Sequence, residues 1–140
     1  MMKRIITMIV IHCSSVRPHQ ESSAETIDKW HRERHFACIG YHYVIRRDGC
    51  VELGRPIEQM GAHCQNHNRH SIGICYEGGL TADGTPADTR TEEQKVSLRR
   101  LLEELKKDYP KALILGHHDL NPMKVCPCFS VTDEYADLQP

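Results

Sequence analysis

Ile5-Ile6-Thr7-Met8-Ile9-Val10-Ile11-His12-Cys13, near the start of the chain, is an apolar run rich in β-branched side chains that ends in a histidine. Over Ile5 to Ile11 it has the length of a strand and shows no polar alternation, the pattern of a central strand covered on both faces. His12 is therefore expected at the strand's end. With Lys3 and Arg4 before it, the segment also imitates an export signal. The apolar part is at the lower limit of length, however, no small-residue cleavage site follows, and cleavage near Cys13 would discard His12. The strand reading is preferred, and no stretch of the chain is long enough to span a membrane.

A second segment ends the same way: Leu113-Ile114-Leu115-Gly116-His117-His118, expected as a last strand over 112–116 delivering two histidines. Between the two lie the elements that would cover a sheet. Ser22-Ser23-Ala24-Glu25 reads as a capping-box start for a helix carrying Ile27, Trp30 and His31 and running to about His35. From Tyr41 to Arg46 the chain alternates, with Tyr41, Tyr43 and Ile45 expected on one face, and Asp48-Gly49 turns it into Cys50-Val51-Glu52-Leu53 as a hairpin. Ile72-Gly73-Ile74-Cys75-Tyr76 is a further short strand, followed by a polar surface loop over 77–90. Thr91-Glu92-Glu93-Gln94 is a second capping box, and Leu98, Leu101, Leu102, Leu105 and Tyr109 form the apolar stripe of a long helix stopped by Pro110. The order strand, helix, hairpin, strand, helix, strand gives an α/β fold, a central mixed β-sheet flanked by helices with a site at strand ends.

A chain of 140 residues suffices for one real core but not for two independent ones, so one domain is expected over 1–140, its core from about 5 to 130. A formal net charge of −1 argues against a nucleic-acid partner, which requires clustered cations. Seven cysteines at irregular spacing are an odd number and read as reduced thiols, not as a disulfide scaffold.

If the two histidine-ending strands lie side by side, their imidazoles converge. Nine residues after His117 comes Cys126, in the Pro-bracketed loop Asn121-Pro122-Met123-Lys124-Val125-Cys126-Pro127 that can fold back to the same place. Two imidazoles and a thiolate are a donor set that a catalytic zinc uses while keeping a fourth position open. With ten histidines in the chain, spacing alone is thin support.

The blocks His12-Cys13-Ser14-Ser15, Gly40-Tyr41-His42-Tyr43-Val44-Ile45-Arg46-Arg47-Asp48-Gly49, Ser71-Ile72-Gly73-Ile74-Cys75 and His117-His118-Asp119 with Lys124-Val125-Cys126-Pro127, in this order, resemble the zinc-dependent N-acetylmuramoyl-L-alanine amidases. The resemblance is to small phage lysins, with the animal peptidoglycan recognition proteins as relatives, and it covers about Ile9 to Phe129. It implies one zinc ion held by His12, His117 and Cys126, with Tyr41 and Lys124 as active-site residues. His63 and Asn68 fall in a stretch that borders the substrate groove in such proteins. The implied reaction is hydrolysis of the amide between muramic acid and L-alanine in peptidoglycan. Lys124 would face the developing oxyanion, and Tyr41 would orient water or oxyanion or take part in proton transfer to the leaving amine. Compared with the shortest phage pattern the loop after His117 is one residue longer, with Met123 the extra. Adjacent strand residues point opposite ways, so only one of His117 and His118 can face the site, and the family pattern favours His117. Cys128 is a minor alternative ligand, and the Trp30–His31 pair is expected to serve packing.

Two other classes stay open on sequence grounds. A peptidoglycan-binding module would bind wall without cutting it, and a cysteine hydrolase using Cys126 or Cys13 would survive chelation. The protein is expected to act as a monomer, made in the cytoplasm and reaching the cell wall after release.

Overall fold

The computed structural model describes residues 4–140; Lys3, part of the segment that imitates an export signal, lies outside the described residues. Five strands, β1 (Met8–Cys13), β2 (Tyr43–Ile45), β3 (Val51–Leu53), β4 (Ser71–Tyr76) and β5 (Leu113–Gly116), form one mixed sheet in the order β3-β2-β4-β1-β5. β1 runs parallel to both β4 and β5, β2 is parallel to β4, and β3 closes the edge antiparallel to β2. The two histidine-bearing segments are thus neighbours, as the sequence suggested. Among the described residues, four α-helices accompany the sheet: α1 (Ala24–Glu33), α2 (Glu92–Asp108) and the single turns α3 (His117–Leu120) and α4 (Val131–Glu134). Among the described residues no helix is long and apolar enough to cross a membrane.

Side-chain alternation divides β1 and β4 between two faces. Ile9, Ile11 and Cys13, with Ile72, Ile74 and Tyr76, turn towards Leu98, Leu102 and Leu105 of α2 and make the main core. Each of these isoleucines is fully buried, and burying one stabilises the fold by roughly 2–3 kcal/mol. Val131 and Tyr135 join this core, so it continues past residue 130, the end expected from the sequence. On the other face Ile27 of α1 packs on Val44 and Cys75. Val10 and His12 share that face, and both are buried. α1 packs on the β2–β4 side of this face, and the site lies beside it, where the ends of β1 and β5 meet the start of α3.

Of the two expected capping boxes only the one at α2 forms; at α1 the cap is Ser23, one residue on, and the Ser22 hydroxyl donates to Ser14 instead. Ser23 caps α1 by accepting the Thr26 N–H, while at α2 Thr91 and Gln94 satisfy each other's backbone N–H. β1 sits later than expected and takes in His12, because its ladder with β4 runs from Met8↔Ser71 to Cys13↔Tyr76. Tyr41 does not share a face with Tyr43 and Ile45. The chain bends at Gly40 and His42 before the ladder of β2 begins, so Tyr41 packs on the α1 side and the other two on the α2 side. His117 and His118 are not strand residues either: the chain leaves β5 into α3 at His117.

Candidate metal centre

His12 enters the site because position 12 of β1 points to the same sheet face as α1, beside that helix, while its neighbours Ile11 and Cys13 point into the main core. His117 enters as the first residue of α3, directly beyond β5. Gly116 allows this tight exit, since a Cβ there would meet Pro127 Cδ at 2.8 Å. The Asp119 carboxylate accepts the Gly116 N–H at 2.8 Å and fixes the turn. Successive side chains on a helical turn diverge by about 100°, which sends His117 into the site and leaves His118 beside Asp119 and the Val125 carbonyl. That divergence, and not strand alternation, separates the two histidines.

Cys126 is brought back by the loop that follows. The Asn121 N–H bonds to the His117 carbonyl, the Lys124 N–H to the Asn121 carbonyl, and the His118 N–H to the Cys126 carbonyl at 2.9 Å. Tyr76 clamps the next residue by donating its hydroxyl to the Pro127 carbonyl at 2.6 Å. Met123, the residue read as extra in this loop, is 88% exposed.

The ligand atoms of His12, His117 and Cys126 all lie within 4.8 Å of one another. Ligands around a tetrahedral zinc are separated by about 3.4–3.8 Å, so a small inward adjustment would close the set. The chemistry of the donors fits as well. Burial, reinforced by His63 and His117, holds the His12 imidazole well below the usual histidine range, and burial with the Lys124 charge lowers His117, so both present neutral nitrogens at pH 7. The adjacent Cys13 sulfur and burial push the Cys126 thiol up. The Cys13 N–H nevertheless points at the Cys126 sulfur from 3.1 Å, and a bound cation is what would convert that thiol into a thiolate. Cys128 lies outside this group, its sulfur against the Gly79 carbonyl.

The three residues stand at the floor of a groove of about 720 Å³ that Tyr41, Lys124, His63 and Asn68 also line. The Tyr41 ring stacks at a tilt 5.0 Å from His12, and burial, foremost, raises its phenol well above the usual value, so it is a hydroxyl donor at neutral pH. Lys124 is exposed on the loop. His63 is buried behind His12, with Nδ1 2.9 Å from His12 Nε2. Asn68 spends its carbonyl oxygen on the N–H groups of His63 and Cys64, at 2.9 and 2.8 Å, which leaves its amide NH2 for any ligand. No aspartate or glutamate lines the groove among the described residues.

The sequence reading missed the groove's outer end. Trp30, Arg34 and Phe36 line it, and Trp30 is 37% exposed. His31 does pack, its Nδ1 accepting the Gly40 N–H at 2.8 Å. The signal available was the helical spacing of Trp30 and Arg34, which puts both on one side of α1.

The family model for N-acetylmuramoyl-L-alanine amidase matches residues 2–129, nearly the whole chain. The chain belongs to the N-acetylmuramoyl-L-alanine amidase family. It is 40% identical over 125 residues to the endolysin of Klebsiella phage KP32, covering 89% of this chain and 82% of that protein. To the endolysin of Escherichia phage T7 it is 39% identical over 123 residues, covering 88% and 81%. Among solved structures, the N-acetylmuramoyl-L-alanine amidase LysC from Clostridium intestinale superposes with a TM-score of 0.79 at 29% identity, covering 95% of this chain and 85% of that one. Drosophila PGRP-LB shares the fold, with a TM-score of 0.77 at 22% identity over 96% and 82% of the two chains. The amidase fold expected from the sequence blocks is the fold observed.

Proposed function

We propose that this amidase cleaves the amide bond between N-acetylmuramic acid and L-alanine in peptidoglycan with one zinc ion held by His12, His117 and Cys126. The observation that carries the reading is the convergence of these three donors, from three separate segments, at the floor of a groove. A zinc ion held there supplies Lewis acidity, which polarises the scissile carbonyl and lets water attack near neutral pH.

The chain's own residues supply the rest. Lys124 stands on the ligand loop where negative charge develops on the carbonyl oxygen, and its ammonium group stabilises that charge. Tyr41 lines the same groove with its ring against His12 and, kept protonated by burial, is the hydroxyl donor that orients either the attacking water or the oxyanion. With no carboxylate lining the groove among the described residues, proton transfer to the leaving amine falls to Tyr41 or to a water it holds. The amide of Asn68, with the aromatic faces of Trp30 and Phe36 and the Arg34 cation, binds the flanking glycan and peptide along the groove. As with the phage endolysins it resembles, we place its action at the cell wall.

Cys126→Ser tests the ligand set. The variant should lose most of its zinc by elemental analysis and its amidase activity together; full zinc content in that variant would remove Cys126 from the centre.

A further inference from the structure

His63 was expected to touch substrate, yet its ring has both nitrogens engaged on the far side of His12. Nδ1 lies 2.9 Å from His12 Nε2, and Nε2 lies 3.1 Å from the hydroxyl of Ser71, a fully buried side chain on the same face of β4. The ring fits a slot built for it. A Cβ on Gly73 would come within 2.6 Å of its carbons, and one on Gly61 within 2.8 Å of Cδ2. The two bonds from Asn68 hold the backbone at residues 63 and 64. His63 itself is only 9% exposed.

From this geometry we propose that His63 is a positioning residue for the metal centre: by accepting the His12 Nε2–H and passing its own Nε2–H to Ser71, it aims the Nδ1 lone pair of His12 at the cation. Two neutral arrangements of the three groups exist. In the first, His12 is protonated on Nε2 and donates to His63, which donates to Ser71. In the second, His63 donates from Nδ1 to His12 Nε2, which leaves His12 protonated on Nδ1 with no lone pair for a metal, and Ser71 donates to His63. His12 cannot ligate through Nε2 instead, because His63 occupies that direction at 2.9 Å. Only the first arrangement offers a ligand; the Ser71 hydroxyl can serve either one, accepting in the first, so a cation binding at His12 Nδ1 selects the first. Hydrogen-bond partners behind a metal-bound imidazole fix its tautomer and orientation in this way.

The inference rests on the zinc reading, and zinc affinity is what tests it. Zinc dissociation constants would be measured by competition with a chromophoric chelator for wild type, His63→Ala, His63→Asn and Ser71→Ala, with thermal unfolding of each metal-free protein and KM and kcat on solubilised peptidoglycan. His63→Ala should bind zinc about 10–100-fold more weakly. His63→Asn, which keeps an acceptor near Nδ1, should recover much of that loss, and Ser71→Ala should weaken zinc although it lies outside the groove lining. If His63→Ala fails to fold, the other two variants carry the test. Wild-type zinc affinity in the variants with a raised KM would overturn the inference and make His63 a substrate residue. Failure of the wild type itself to take up zinc would overturn the underlying reading too, and the wild-type titration alone reveals it.

Discussion

At the scale of single residues, the proposed mechanism separates groups that would hold the metal from groups that would act on substrate, and substitutions should separate them as well. Tyr41→Phe and Lys124→Ala remove a hydroxyl and an ammonium that contribute nothing to the donor set. Each variant should keep its zinc, and Lys124→Ala should lose on the order of 10²–10³ in kcat, the usual effect of deleting one oxyanion donor. Zinc content and turnover measured together check this, and unchanged turnover in both would leave the proposed chemistry without its supporting groups. The three candidate ligands could be picked out in the sequence because each sits at the end of an apolar strand or in a Pro-bracketed loop, and the family blocks pointed to His117 over His118; the structure brings the three together. What sequence could not give was direction. His63 and Asn68 read as polar loop residues at a groove edge, whereas the contact of His63 with His12 crosses 51 positions in the chain and depends on two glycines beneath the ring.

Among the elements, the C-terminal segment has a task that its composition hides. Arg90, at the end of the long polar loop, has a side chain only 1% exposed; it pairs with both Glu134 oxygens at 2.7 Å and with Asp88 at 2.9 Å, and lies 3.4 Å over the Phe129 ring. This fastens α4, and Phe129 just after the Cys126 loop, against the main core. Arg90→Ala should cost about 3 kcal/mol in denaturant unfolding, the low end for breaking a buried pair, since both carboxylates keep some water. A loss below about 1 kcal/mol would mean that the loop is held by other contacts. The strands and long helices were readable from periodicity and capping residues. The bend that turns Tyr41 away from Tyr43 was not, because nothing local in Gly40-Tyr41-His42 announces it; it arises where the His42 N–H bonds to the Gly73 carbonyl. The start of α3 at His117 was hidden likewise, being fixed by Asp119 capping the chain as it leaves β5.

For the whole molecule, buried imidazoles tie stability to pH. His31 and His42 each accept a backbone N–H on Nδ1, from Gly40 and Gly73, and burial holds both down to about 4. An unfolded histidine takes up its proton near pH 6.5, so below that value the unfolded chain binds protons that the folded one refuses. Stability is therefore fully present above about pH 6.5 and falls as pH drops towards 4. Between pH 7 and 5 the metal-free protein should lose roughly 1–2 kcal/mol per histidine by urea unfolding, whereas a flat profile would show that these rings titrate freely. The fold as a whole was the most legible level, since two matching strand ends flanking two capped helices leave few ways to build one sheet, and 40% identity to a phage endolysin agrees with it. The central claim is that a zinc ion at His12, His117 and Cys126 drives amide cleavage in peptidoglycan. It is tested most directly by counting new L-alanine amino termini released from purified wall, first with metal, then after a chelator, then after zinc is restored. Release that stops with the chelator and returns with zinc is the expected result; cleavage that continues in the chelator, or wall binding with no release under any condition, would overturn the claim.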